Sequence, residues 1–375
     1  MAELPSGFDV DDFLARYWQR RPLLIPAAIP AFSPPLSADE LAGLAMEDAV
    51  ESRLVQQSGS DWPVVHGPFA ETDFQRPGAW TLLVQAVDQL IPEVAQLRGL
   101  VNFLPDWRAD DIMVSYATDG GSVGPHFDHY DVFLLQGEGK RLWRLGQSCD
   151  HTTPLVPDQA LRILRHFDCQ QEYLLGPGDI LYVPPGLAHW GIAQGECTTF
   201  SIGFRAPRRQ DMLARRVDQA LEELAQDVFF TDPGRAASAR PGELSDADLE
   251  RAQQQLNELL KPTTAAHWFG ELITEPSYTP DPEQVEPADI DRLLSGRSVL
   301  CREPGAKLAW RQDAGVLNLY ANGATLVTDP AYRDPIITLC ESGQLACSGQ
   351  QGSEGLPSLL TFLLQTGSCY VQHNE

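Results

Sequence analysis

Near the N-terminus, apolar residues recur at helical spacing. In DVDDFLARYWQRRP, Phe13, Leu14, Tyr17 and Trp18 share one face, acidic residues precede them and Pro22 follows. This spacing predicts an amphipathic helix closed by the proline. From about residue 100 to 206 the pattern changes to short runs rich in Val, Ile, Leu, Phe and Tyr, punctuated by DGGSVGP, GEG, LGPGD and VPPG. Short apolar runs between Gly and Pro turns predict strands, and many in succession predict an all-β barrel or sandwich.

After FRAPRRQ the strand pattern stops. Leu213, Val217, Ala220, Leu221, Leu224 and Val228 mark one face of a predicted helix. A loop containing TDPGRAASARPGE follows, then Ser245 as an N-cap, with Leu249, Ala252, Leu256, Leu259 and Leu260 on a second helix. Such a hairpin has an apolar face to bury, against the barrel or against a second copy of itself. Residues 274–287, TEPSYTPDPEQVEP, are dense in Pro and acids and read as an extended linker. The expected organisation is therefore an α+β multidomain chain: a β-rich domain with N-terminal helices (1–206), a helical region (207–273), the linker, and a small α+β domain (288–375).

Composition narrows the possibilities. With 375 residues, 43% of them hydrophobic, the chain can fill more than one core. Seven cysteines, Cys149, Cys169, Cys197, Cys301, Cys340, Cys347 and Cys369, are widely scattered without a CxxC pair, as expected for reduced thiols. No run of about 18 apolar residues occurs, and MAELPSGFDVDDFL has neither a basic nor an apolar leader region, so a cytoplasmic protein with no membrane partner is expected. The formal charge of -25 opposes non-specific nucleic-acid binding and favours a basic partner. From Asp281 to Glu375 there are six Lys or Arg against twelve Asp or Glu, a formal charge of -6, so direct DNA binding is not expected there.

The candidate chemistry begins in GPHFDHYDVF, residues 124–133. On an extended strand His126 and Asp128 project to one side, while Phe127 and His129 point away. In LLGPGDILYVPPGLAHW, two rigid turns flank a short strand and aim His189. Two histidines and a carboxylate with positions left open form the facial triad of non-haem Fe(II) oxygenases, although a hydrolytic zinc centre can use the same ligands. A second anion site separates the two. 2-Oxoglutarate chelates iron and needs a cation for its distal carboxylate, and GEGKRLWRL places Arg141 on the same strand face as apolar Trp143 and Leu145. A guanidinium grips a carboxylate through two hydrogen bonds, whereas Lys140 and Arg144 would face solvent.

Distance adds a condition: a straight strand at about 3.3 Å per residue would carry Arg141 too far from the metal, so a bend is required near Tyr130 and Asp131. Asp119, in the TDGG loop, could face the substrate mouth or nucleate a turn. Ser115, on an apolar strand, is expected to satisfy its hydroxyl on backbone. His66, His151, His166, His267 and His373 have no partner at ligand spacing.

PHFDHYDVFLLQGEGKRLWRL, GPGDILYVPPGLAHWG and FSIGFRAPR together resemble the JmjC-type cupin oxygenases. FLARYWQRRPLLI, GLAMEDAVESRLV, HGPF, WTLLVQAVDQL and LPDWRADDIMVS are similar to their bacterial ribosomal-oxygenase branch. The resemblance implies a double-stranded β-helix catalytic domain, a helical dimerisation region making a homodimer, and a C-terminal winged-helix-like domain. It implies Fe(II) held by His126, Asp128 and His189, with 2-oxoglutarate and O2 as co-substrates and Arg141, helped by Ser115, as the 2-oxoglutarate anchor. The implied reaction is hydroxylation at C-3 of an arginine in the sixteenth large-subunit ribosomal protein, a basic partner that an acidic surface would attract. Two rivals use the same sequence differently: a JmjC-type protein demethylase, and a non-catalytic cupin that binds ribosomal proteins. The second predicts a damaged triad or a missing anchor, and neither is seen.

Overall fold

The computed structural model describes residues 4–373 apart from 60, 226, 262–266, 277–284, 297, 314 and 347–354. It divides into two compact units, Met1–Ala206 and Pro207–Glu375.

In the first unit, helices α1 (Val10–Arg16), α2 (Ala38–Leu44) and α3 (Pro92–Ala95) accompany eleven strands: β1 (Leu23–Ile25), β2 (Ser52–Gln56), β3 (Val64–His66), β4 (Trp80–Val84), β5 (Ala109–Ala117), β6 (Val132–Gln136), β7 (Lys140–Ser148), β8 (Gln171–Leu175), β9 (Ile180–Val183), β10 (Leu187–Gln194) and β11 (Cys197–Phe204). They form a large sheet, β1-β9-β6-β11-β5-β4-β2-β3, and a small one, β10-β7-β8, with antiparallel pairings. This is the double-stranded β-helix.

Strand alternation explains how β6 serves two cores. Val132 and Leu134 turn inward and pack with Trp143, Leu145 and Leu175 of the small sheet. Phe133 and Leu135 turn outward under the N-terminal helices, among Phe13, Ile180, Tyr182 and Phe200. Every residue of β6 is consequently buried, and the strand reads as an unbroken apolar run.

The first helix is present but ends at Arg16, before Pro22. Asp9 caps it by accepting the Asp12 amide at 2.9 Å. The early stop has a tertiary cause: Gln19 takes a left-handed backbone, φ 57°, and its N–H donates to the Tyr182 hydroxyl at 2.7 Å. Phe13 packs edge-on against that ring at 5.0 Å, and Trp18 stacks on it at 5.8 Å from the turn rather than from the helix.

The second unit begins with α4 (Arg209–Glu223), α5 (Asp246–Leu259), α6 (His267–Thr274) and α7 (Pro287–Leu294). Strands β12 (Ser298–Arg302), β13 (Leu308–Asp313), β14 (Val316–Ala321) and β15 (Ala324–Thr328) follow, then α8 (Arg333–Ser342), β16 (Gln344–Ala346), α9 (Leu356–Gln365) and β17 (Cys369–His373). The strands make two three-stranded antiparallel sheets, β16-β12-β17 and β13-β14-β15, closed over a core that includes Leu300, Leu317, Leu319, Leu359 and Leu363. Ser245 caps α5 in a reciprocal capping box with Asp248.

The helix expected to run through Val228 is shorter than its apolar pattern. Leu224 is already extended, at ψ 123°, and Asp227 takes φ 68°, so Leu224 and Val228 fall outside it. Neither α4 nor α5 contains a buried residue, and Leu213, Leu221, Leu249 and Leu256 are 59, 63, 53 and 50% exposed. The linker expectation falls largely on residues 277–284, outside the described residues.

Candidate metal and co-substrate site

The Pro-Pro-Gly turn after β9 and the loop before β6 bring three candidate ligands together. His126 and His189 form an isolated antiparallel bridge, with the His126 amide donating to the His189 carbonyl at 3.1 Å and the reverse bond at 2.8 Å. Gly186, in the left-handed region at φ 75°, donates its N–H to the Asp128 carbonyl at 2.7 Å. The frame that carries the side chains is thus made of main-chain bonds. The extended strand expected for His126 to Asp128 is reduced to the single bridge at His126, yet the ligand atoms of His126, Asp128 and His189 lie within 4.8 Å of one another. No other group of three potential ligands occurs among the described residues.

The proton positions follow from the partners. His126 Nδ1 lies 2.9 Å from the Gly124 carbonyl, and His189 Nδ1 lies 3.0 Å from the Leu187 carbonyl. A carbonyl only accepts, so each Nδ1 carries the proton and each Nε2 keeps its lone pair for a metal. Burial, reinforced by the neighbouring His126, pushes the His189 pKa down to about 4. His189 Nε2 and Asp128 Oδ2 then face each other at 3.5 Å as two acceptors, an arrangement that a cation between them satisfies.

These groups border a cavity of about 510 Å³ that also reaches Arg141, Trp143 and Ser115. The expected bend exists: Asp131 is fully buried, and its carboxylate accepts hydrogen bonds from Tyr182 Oη at 2.6 Å, Gln19 Nε2 at 2.9 Å and Arg108 Nη2 at 3.1 Å. Beyond it the chain turns into β6 and returns along β7 to Arg141. Arg141 is only 4% exposed, and its Nε and Nη2 have no hydrogen-bond partner in the protein. Those donors share one edge of the guanidinium, the edge that accepts a carboxylate side-on. Lys140 is exposed, and Arg144 pairs with Glu172 at 2.7 Å, as the strand alternation required.

Ser115 is buried on β5, with its hydroxyl 3.5 Å from the Thr199 carbonyl, a long bond that leaves the oxygen available to the cavity. His129 is exposed at the cavity rim, where its ring meets Phe127 edge-on and Nε2 faces Arg162 Nη1 at 2.9 Å. It therefore shares the cavity rather than pointing wholly away, but it stands outside the ligand group. Asp119 accepts the Gly195 amide at 2.7 Å and belongs to a turn. Two cavity-lining residues carry polar atoms without protein partners, Trp143 Nε1 and Thr81 Oγ1; the sequence placed Trp143 inward only as an apolar neighbour of Arg141, and it did not mark Thr81 at all. Alternation along β7 gives the position of Trp143 but not the role of its N–H; no local signal marks Thr81.

Residues 96–212 match the JmjC domain family, 250–370 the ROXA-like winged helix and 165–275 the AraC-like ligand binding domain. The chain is 35% identical over 365 residues to the ribosomal protein uL16 3-hydroxylase of Escherichia coli (strain K12), covering 94% of each. It is 34% identical over 342 residues to a probable ribosomal oxygenase of Haemophilus influenzae, covering 86% of this chain and 83% of that one. The structure of YcfD, a ribosomal oxygenase from Escherichia coli, in complex with cobalt and 2-oxoglutarate is similar with a TM-score of 0.80 at 34% identity, over 98% of this chain and 99% of that one.

Proposed function

Because this chain belongs to the JmjC ribosomal-oxygenase family, we propose that it hydroxylates C-3 of an arginine side chain in the large-subunit ribosomal protein uL16, with Fe(II), 2-oxoglutarate and O2. It is a 2-oxoglutarate-dependent oxygenase with a ribosomal protein as substrate. The observation that carries this reading is one cavity holding both a two-histidine, one-carboxylate group and a buried arginine with an unpartnered donor edge.

When loaded, such a centre supplies hydroxylation of an unactivated C–H bond, coupled to conversion of 2-oxoglutarate and O2 into succinate and CO2. In our reading His126, Asp128 and His189 hold the metal. Arg141 grips the distal carboxylate of 2-oxoglutarate side-on, and the Ser115 hydroxyl adds a hydrogen bond. Trp143 and the apolar barrel wall exclude water and strengthen both interactions. The net charge of -25 draws in a basic ribosomal protein.

The reading extends to quaternary structure and location. The exposed leucines of α4 and α5 support a homodimer formed through residues 207–273, with 1–206 as the catalytic domain and 288–375 as a structural or protein-binding winged-helix-like domain. Among the described residues no helix is long and apolar enough to cross a membrane, in keeping with the cytoplasmic location we assign. Incubation of uL16 with the protein, Fe(II) and 2-oxoglutarate should add the mass of one oxygen atom to a single arginine. Succinate release without that gain would redirect the search for substrate, and the absence of both would overturn the reading.

A further inference from the structure

Ser122 lies in the DGGSVGP turn, only 6% exposed, four residues before His126. Its hydroxyl oxygen accepts two hydrogen bonds, from the Trp190 indole Nε1–H at 2.8 Å and from the Gly124 amide at 3.1 Å. The Gly124 carbonyl in turn accepts Nδ1–H of His126 at 2.9 Å. Trp190 follows His189 directly, and its ring is held by Phe167 edge-on at 5.9 Å and by the Arg144 guanidinium at 5.6 Å. One hydroxyl therefore joins the segment carrying His126 to the segment carrying His189.

The close packing around Gly124 makes the link stiff. It sits at φ 82°, and a Cβ there would come within 2.7 Å of Ile163 Cδ1 and 3.0 Å of the Trp62 ring, so the position demands glycine. A glycine is also free to rotate once released. Its amide is fixed by the local bond to the Ser122 hydroxyl two residues back, a serine turn of the usual kind. With the amide held and the backbone enclosed by Ile163 and Trp62, the Gly124 carbonyl is set toward His126, and the imidazole presents Nε2 to the ligand group.

We propose that Ser122 is a positioning residue for His126, setting the orientation and tautomer of that ring and with them the affinity for a divalent metal. The inference rests on the reading of His126 as a metal ligand. Removing the hydroxyl leaves two donors without an acceptor and lets the Gly124 carbonyl swing away, so the ring must be ordered at the expense of metal binding.

The test titrates the metal-free full chain with Co(II) anaerobically, by calorimetry and visible absorption, alongside thermal melting without metal. Ser122→Ala should bind Co(II) about ten-fold more weakly, and 2-oxoglutarate affinity of the Co(II)-loaded variant should match wild type. Trp190→Phe keeps an aromatic side chain and the Gly124 bond but removes the indole N–H, and should give a smaller loss. The double variant should be no weaker than Ser122→Ala, because the indole acts through the hydroxyl. Wild-type Co(II) affinity in Ser122→Ala with only a lowered melting temperature would make the serine merely structural and overturn the proposal, as would additive losses in the double variant. Should Ser122→Ala fail to fold, Trp190→Phe decides: weakened Co(II) binding supports the proposal and unchanged binding overturns it. A wild-type chain that takes up no Co(II), or a His126→Ala chain that binds it normally, would instead overturn the assignment of the ligand group, and this inference with it.

Discussion

Asp131 and Tyr182, 51 residues apart in sequence, meet in a fully buried hydrogen bond of 2.6 Å, with the phenol donating to the carboxylate. The same hydroxyl accepts the Gln19 amide, so one atom secures both the end of α1 and the bend beyond Asp128. Tyr182→Phe removes it and leaves a buried carboxylate short of a donor. A loss of about 1 to 3 kcal/mol is expected, read from urea unfolding of the metal-free protein; an unchanged midpoint would show that the bend is held without it.

Asp128 faces His189 acceptor to acceptor at 3.5 Å. Asp128→Ala relieves that opposition while removing a metal ligand, so the variant should be at least as stable as wild type without metal, and should release no succinate when supplied with Fe(II), 2-oxoglutarate and O2. Normal turnover of 2-oxoglutarate in this variant would sink the ligand assignment.

Arg141 places a charged group with two unpartnered donors inside the barrel. Arg141→Met keeps much of the volume without the charge. It should stabilise the protein, in the absence of 2-oxoglutarate, by roughly 1 to 3 kcal/mol, and should abolish the rise in melting temperature that 2-oxoglutarate gives the wild type. The milder Arg141→Lys should raise KM for 2-oxoglutarate about ten-fold, the loss of one charge-assisted hydrogen bond. An unchanged KM would locate the anchor elsewhere.

His189 titrates at about 4 in the fold because burial, then His126, disfavours its charged form. A histidine in the unfolded chain titrates near 6.5. Between those values the unfolded chain holds a proton that the folded chain does not, so stability rises with pH across the window. The metal-free protein should therefore lose up to roughly 3 kcal/mol through this residue as pH falls from about 6.5 to about 4. His189→Gln should flatten that part of the pH profile of urea midpoints; parallel profiles for variant and wild type would refute the assignment.

Leu213 and Leu221 of α4 and Leu249 and Leu256 of α5 are half or more exposed in the single chain. Leu249→Lys combined with Leu256→Lys should give a monomer by light scattering, with secondary structure retained. A dimer that survives both substitutions would move the interface off these helices.

What could be read from sequence was whatever depends on near neighbours. Arg141 and Trp143 are assigned to the interior by alternation along one strand, and Ser245 announces α5 through a cap that needs only Asp248. What escaped depends on residues far along the chain. The end of α1 is set by Tyr182, not by Pro22, and helical periodicity beyond Glu223 meant nothing once the backbone at Leu224 became extended. The convergence of His126 with His189 rests on a main-chain bridge across more than sixty residues, which spacing alone does not reveal; the rigid turns around His189 suggested it and the family resemblance implied it. Ser122 was passed over because its partner Trp190 is equally remote, and the Thr81 hydroxyl has no sequence signature.

The bridge between His126 and His189 and the Gly186 bond to Asp128 engage main-chain atoms alone, so they do not depend on which side chains those positions carry. Exchanging all three ligands would silence turnover while the cavity kept its outline. Immobilised on a support, such an inert chain becomes bait: it should retain its ribosomal protein without altering it, so that the client could be recovered from a cell extract and identified.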